Sequence, residues 1–370
     1  MYKNDNDIDL MLNTNKNLRV LVVGCGNMGA SHAMAYHTLP GFEICGLVST
    51  GNSKVVLNQR LGGGYTLFND YNEALEATKP DAVCISTYPD THEEFAVQAF
   101  EKGCHVFIEK PLADTVEGAV RVAEAATKAN KKLVVGYILR YHPSWEKFIE
   151  LSQQMGKPLV MRMNLNQQSQ GAKWTVHRNL MKSLSPIVDC AVHYIDVMCQ
   201  MTRSKPVQVS AIGARLTDDI PAWNYNYGQL QIRFADGSIG WYEAGWGPMV
   251  SDNAFFIKDV FGPKGAVSIV AKKASQAGNS DDIDSHTKTE SIKIHHAALN
   301  DDDCFLSPDE YLDLQDEPDH QELCNREQRF FLKAMNEDLD LNQATEDAIN
   351  SLKIAFACDE SVKTGQVVTL

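Results

Sequence analysis

The sequence lacks what would mark a membrane-spanning, secreted or nucleic-acid-binding chain. Its 370 residues contain no apolar run approaching the ~18 needed to cross a bilayer, so no membrane partner is expected. Residues 1–17 are rich in Asn and Asp and have neither a basic start nor an apolar stretch. They are expected to form a flexible tail, not a secretory signal. Nine cysteines are scattered singly from Cys25 to Cys358, in an odd number and without a CxxC pair. That excludes a disulfide framework and a zinc-finger spacing, fits a reducing cytoplasm, and leaves no metal site expected. Basic charge is also in deficit: 34 Lys and Arg against 48 Asp and Glu leave a net charge of -14, which repels phosphate backbones and excludes nucleic acid as an expected partner. A local anion site survives this balance, because backbone N–H groups at a helix start bind phosphate whatever the net charge.

What is present is enough apolar material, 44% of residues, for two cores in a chain of this length. From residue 18 short apolar runs (18–23, 42–48, 82–86, 105–108 and 132–135) alternate with amphipathic segments such as 28–39. Continuous apolar strands separated by helices predict a parallel sheet covered on both faces, an α/β domain over 18–142. After His142-Pro143 the pattern changes. A helix at 145–154, a strand at 159–166 and a helix at 187–201 precede strands at 207–216, 229–234, 238–246 and 254–261, joined by turns such as Ala235-Asp236-Gly237. Residues 143–370 are therefore expected to form an α+β domain with a mostly antiparallel sheet. The polar stretches 272–292 and 301–319 are expected to be loops, and His295-His296 to be solvated. Two closing helices, 321–336 and 344–363, are expected to pack back on the N-terminal domain, with a last strand at 367–370.

Gly24-Cys25-Gly26-Asn27-Met28-Gly29 follows the first strand and opens the first helix. The first glycine permits a tight turn, the second lets the backbone approach a pyrophosphate, and the third lets helix and strand pack closely. In that context the motif predicts a Rossmann dinucleotide site; a purely structural glycine turn is the competing reading. The second strand ends in Val48-Ser49-Thr50-Gly51-Asn52-Ser53-Lys54, without the acid that usually accepts from the ribose 2′-hydroxyl of NAD. Ser49 and Thr50, with Lys54 nearby, tilt the expected cofactor toward NADP over NAD.

Further motifs join the glycine turn: Glu109-Lys110-Pro111 after the fifth strand, Gly136-Tyr137 leading to Arg140-Tyr141-His142-Pro143, Asp189-Cys190-Ala191-Val192-His193, and a tail from Glu346-Asp347-Ala348 through Glu360-Ser361 to Gly365-Gln366-Val367-Val368. In this order the set resembles the Gfo/Idh/MocA family of glucose-fructose oxidoreductase and inositol dehydrogenase relatives, from Val20 to the end. The resemblance implies a nucleotide-binding domain followed by an α+β domain whose large open sheet mediates homodimer or homotetramer formation. It also implies that Lys110, Asp189 and His193 face the nicotinamide. Independent chemistry agrees: Lys110 lies at the carboxyl end of a parallel strand, where open α/β sheets place their ligands. Asp189 and His193 are four apart on a predicted helix and share a side, with Asp196 continuing the stripe in a structural role. Oxidising an alcohol needs a base for the hydroxyl proton, which suits His193; Lys110 would stabilise alkoxide charge, and Asp189 would bind a neighbouring hydroxyl or orient the imidazole.

The same resemblance extends the cofactor contacts to Gly24, Gly26, Asn27, Met28, Gly29, Ser49, Thr50, Thr87, Tyr88, His92, Glu109, Lys110 and Trp174. Two departures stand out. Tyr88 replaces the proline of the family's Thr-Pro-Asn segment, and Ser183-Leu184-Ser185-Pro186 stands where relatives carry a glycine pair. Asn164, Gln167, Trp223, Tyr225 and Trp246 are candidates to line a carbohydrate or polyol site, each against an ordinary packing role. The expected activity is hydride transfer to or from a secondary alcohol carbon of a sugar or polyol. The alternatives are a hydrolase or lyase that uses tightly bound NAD for transient oxidation, and a non-catalytic NAD(P)-binding regulator.

Overall fold

In the computed structural model the described residues are 17–251, 257–270, 287, 289–314 and 316–370; all but the last residue of the expected tail lies outside them. The chain divides into two compact units, one running up to Gly136 and resuming over Gln321–Glu346, the other comprising Tyr137–His320 and Asp347–Leu370. The first crossing falls at 136–137, where the sequence suggested 142–143.

The first unit is built on strands whose residues are apolar at nearly every position. β1 (Leu18–Val23), β2 (Phe42–Val48), β3 (Leu67–Phe68), β4 (Ala82–Ile85), β5 (His105–Glu109) and β6 (Leu133–Gly136) form one sheet in the order β3-β2-β1-β4-β5-β6. All its pairings are parallel. Val20 to Val23 and Ala82 to Ile85 are almost wholly buried, as strands covered on both faces must be. The connections are α1 (Asn27–Thr38), α2 (Ser53–Arg60), α3 (Tyr71–Thr78), α4 (His92–Glu101) and α5 (Val116–Ala129). Side chains cap two of them: Asp70 accepts from Glu73 N, and Thr115 accepts from Gly118 N, bonds of about 1 kcal/mol each. The chain order reverses between β1 and β4, which defines the switch point where such sheets bind ligands.

The second unit begins with α6 (Pro143–Gln154), β7 (Val160–Gln168), α7 (Gly171–Leu180) and α8 (Val192–Thr202). It continues through β8 (Pro206–Ala214), β9 (Tyr227–Phe234), β10 (Ile239–Gly247), β11 (Lys258–Gly262), β12 (Gly265–Val270), β13 (Ser291–His296) and β14 (Glu310–Asp313). After α9 (His320–Asn336), which lies in the first unit apart from its first residue, α10 (Asn342–Thr364) carries the chain back and β15 (Val368–Thr369) ends it. The nine strands run β14-β13-β12-β11-β7-β10-β9-β8-β15, antiparallel except for the β7–β10 pair. Burial alternates along β9 and β12, so one face is packed and the other open. Arg140 anchors the packed side by binding Asp196 with two nitrogens and Asp347 at 3.0 Å.

Three expectations are corrected. β13 and β14 lie in or beside stretches read as loops; Ile292 and Ile294 are buried, but two apolar residues among charged ones are too sparse to signal a strand. His295 and His296 bind Asp309 and Glu310 at 2.8 and 2.7 Å instead of only water. The helix at 187–201 opens with a π-type turn, Ile187–Ala191. Residues 254–256 of one expected strand, and 272–286 and 288 of one expected loop, lie outside the described residues. Among the described residues no helix is long and apolar enough to cross a membrane.

Candidate functional site

In the first unit the glycine turn does what its spacing implies. Gly24 has φ +90, and a Cβ there would stand 2.4 Å from the Ser86 carbonyl oxygen, so the turn rests directly on the loop after β4. A Cβ on Gly29 would meet the Gly24 carbonyl oxygen at 1.9 Å, which leaves no room for any side chain. Gly26 is different: nothing lies within 4 Å of its Cβ position, and no side chain caps the helix it begins. The start of α1 therefore presents backbone donors beside open space, with Asn27 and Met28 in its first turn, a cradle fitted to a pyrophosphate.

Around that cradle, Ser49 Oγ meets Ser53 Oγ at 2.8 Å at the end of β2, next to an exposed Thr50. Lys54 turns inward and donates to the carbonyls of Ser49 and Gly51, both at 2.7 Å. It ties the β2 loop together through those two carbonyls. After β4, Thr87 Oγ1 bonds Thr91 Oγ1 at 2.7 Å, and Tyr88 is 70% exposed, a ring held out at the sheet's carboxyl edge. Lys110 follows β5 directly at the same edge.

Two side chains expected at the cofactor turn into the domain. His92 has no exposed surface; its ring nitrogens lie 2.8 Å from Pro111 O and 3.1 Å from Thr87 O, tying the β4 loop to the Lys110 loop. A neutral ring donates to only one of those carbonyls at a time, and burial holds its pKa down. Glu109 also turns into the domain, 2.6 Å from His32 Nε2. Both residues shape the site from behind.

In the second unit, Asp189 lies in the π-type turn and is partly exposed, and His193 stands one turn on, near the start of α8. Such wide turns recur at functional sites because they re-aim side chains. The Tyr137 ring packs edge-on against His193 with centroids 5.8 Å apart, fixing the imidazole plane. Asp196 is committed to Arg140 and so takes the structural role expected of it.

The candidates for a polyol pocket divide. Gln167 Oε1 accepts from Trp246 Nε1 at 2.8 Å, and Trp246 stacks on His177 at 4.4 Å with an 8° tilt. Trp246 and Trp174 are nearly wholly buried, Trp174 against Gly247, so they pack the wall and do not face an open cavity. Asn164 is buried and bonds Glu243 and Ile257 N. Tyr225 is buried and donates to Asp359 at 2.5 Å, and Trp223 alone is exposed. His177 was not anticipated; a single histidine in a polar run gives no signal until its stacking partner, far along the chain, is known.

Residues 18–137 match the model of the oxidoreductase family with an NAD-binding Rossmann fold, and residues 149–268 match that of the GFO/IDH/MocA C-terminal domain. The chain belongs to the Gfo/Idh/MocA oxidoreductase family. Curated relatives include an inositol 2-dehydrogenase of Burkholderia cenocepacia, 30% identical over 187 residues that cover 49% of this chain and 53% of the relative. Inositol 2-dehydrogenase 4 of Saccharopolyspora erythraea is 30% identical over 234 residues, 61% of this chain and 66% of that protein. The match to the first of these spans about half of the relative's length. Among solved structures, scyllo-inositol dehydrogenase from Lactobacillus casei with bound NAD(H) and scyllo-inositol shares the fold at a TM-score of 0.74 and 18% identity, covering 96% of this chain and 99% of that one. Within this family frame Gly24 and Lys110 fall in the first matched domain, and Asp189 and His193 in the second.

Proposed function

We propose that this family member is a nicotinamide-dependent dehydrogenase acting on a CH–OH carbon of a polyol of the inositol type. The observation that carries the reading is the Gly24–Gly29 turn, with its open second glycine, on the same carboxyl edge as Lys110. A nicotinamide bound at the Gly24–Gly29 turn would supply the hydride chemistry at the alcohol carbon. His193 takes the hydroxyl proton, with its ring plane set by Tyr137. Lys110 would donate to a substrate oxygen and stabilise alkoxide charge, and Asp189 would bind a substrate hydroxyl. Inositol 2-dehydrogenase relatives support the substrate class.

The cofactor we propose is NAD(H). The missing acid after β2 suggested NADP, but Lys54, the nearby cation, is occupied by two carbonyls. Assembly follows the same reading: Ile212, Ile239 and Phe261 are exposed on one face of the open sheet, as the pairings Ile212–Gln229, Ile239–Arg233, Ile239–Val160 and Phe261–Val160 require, and that face suits a homodimer or homotetramer.

Lys110→Met and His193→Ala should bind NADH normally by fluorescence titration yet lose turnover by a factor on the order of hundreds. The wild type should bind NADH more tightly than NADPH. Near-normal rates in either variant would refute the roles assigned, and preference for NADPH would refute the cofactor assignment.

A further inference from the structure

Behind Glu109 lies a buried polar cluster that the proposed chemistry leaves unused. It draws on three elements of the first unit: His32 and Tyr36 from α1, Glu109 from the end of β5, and Cys324, Glu327 and Gln328 from α9. The hydrogen bonds run in one direction. Tyr36 Oη donates to Gln328 Oε1 at 2.5 Å, Gln328 Nε2 lies 3.0 Å from His32 Nδ1, and His32 Nε2 lies 2.6 Å from Glu109 Oε1. An amide nitrogen only donates and a carboxylate only accepts, so this arrangement assigns His32 the neutral tautomer with its proton on Nε2. Glu109 Oε2 in turn accepts from the Lys110 backbone N at 3.2 Å. Gly136 closes over the carboxylate, since a Cβ there would stand 3.2 Å from Oε1.

His32, Cys324 and Glu327 also offer ligand atoms within 4.8 Å of one another. Both ring nitrogens of His32 are already engaged, so a metal there would have to break the chain just described.

We infer that His32 and Gln328 are positioning residues: they hold the Glu109 carboxylate, and through it the Lys110 backbone, in the geometry that hydride transfer requires. The inference rests on the role proposed for Lys110. Its electrostatics are consistent. Burial alone would push Glu109 up, but the bond from His32, with the positive charge of Lys110 beside it, holds it below the usual carboxylate range. Glu327 has neither oxygen bonded among the described residues, and burial, then the Glu109 charge, pushes it well above that range. The cluster thus carries one negative charge, on the carboxylate beside Lys110. The titratable groups facing Glu109 are His32, Cys84, His92, Lys110 and Glu327. Without the bond from His32, burial is opposed by less and the Glu109 pKa rises.

The test compares His32→Leu with His32→Gln, which keeps an N–H for Glu109, in the full chain. In His32→Leu, kcat at pH 7 should fall ~tenfold or more and the acid limb of the kcat/KM profile should move up by about one pH unit or more, while the NADH Kd stays within about twofold. His32→Gln should restore the wild-type profile. Gln328→Leu should reproduce the shift if His32→Leu does not fold. Infrared pH titration, with the Glu109 carboxyl band assigned by its loss in Glu109→Gln, reads the same protonation without turnover. It therefore remains decisive even if Lys110→Met proves active and the dehydrogenase reading fails. An unshifted Glu109 band in both His32→Leu and Gln328→Leu, an unrescued profile in His32→Gln, or stoichiometric metal lost on Glu327→Gln would overturn the inference.

Discussion

Glu327 is a carboxyl placed where water cannot reach it, and its consequence for stability has a definite sign. Its folded-state pKa lies above the unfolded value of ~4.3, so the folded chain holds a proton that the unfolded chain releases. This group's contribution is fully present below that unfolded value and is lost by up to about 1.4 kcal/mol per pH unit as pH rises toward the folded pKa. Glu327→Gln removes the slope, so the variant is expected to gain stability relative to wild type between pH 5 and pH 8 in denaturant titrations. A constant difference across that range would show that Glu327 is ionised in the folded protein. At this scale Lys110, Asp189 and His193 could be proposed as candidates from sequence because their motifs are local. Gln328 could not, since its partner His32 is 296 positions away.

At the scale of elements, the three glycines of one turn separate binding from folding. Gly26→Ala adds a methyl where nothing lies within 4 Å, so stability should change by less than ~0.5 kcal/mol, whereas NADH affinity should fall about tenfold or more because the methyl occupies the pyrophosphate approach. Gly29→Ala drives a Cβ into the Gly24 carbonyl and should cost about 3 kcal/mol or more of stability. Thermal melts and NADH titrations of both variants would check this, and equal effects on melting would contradict it. Most strands of the first unit were legible because they are largely apolar runs, as with the residues of β1 and β4, whereas the two-residue β3 was too short to signal itself. β13 and β14 were not, because a half-exposed strand such as Ser291–His296 buries only Ile292, Ile294 and one serine amid polar residues. Contact, and not composition, likewise decided that Trp246, Trp174 and Tyr225 pack instead of lining a cavity.

At the scale of the molecule, the chain leaves the first unit at Gly136, builds an open nine-stranded sheet, returns for α9, and leaves again within α10. The return lets α9 contribute Phe331 and Leu332 to the core around Val20, Val22 and Phe107, and Gln328 to the chain that ends at Glu109. The first unit is therefore completed by residues that follow the second in sequence, so a fragment ending near residue 142 would lack both that apolar surface and the support behind Lys110. The dehydrogenase we propose oxidises a polyol carbon with net reduction of its cofactor. The direct measurement is nicotinamide absorbance during incubation of the full chain with NAD and inositol isomers. The expected result is NADH formed in step with ketone product and abolished in Lys110→Met. Turnover of the polyol without net NADH, or NADH formation undiminished in Lys110→Met, would contradict it.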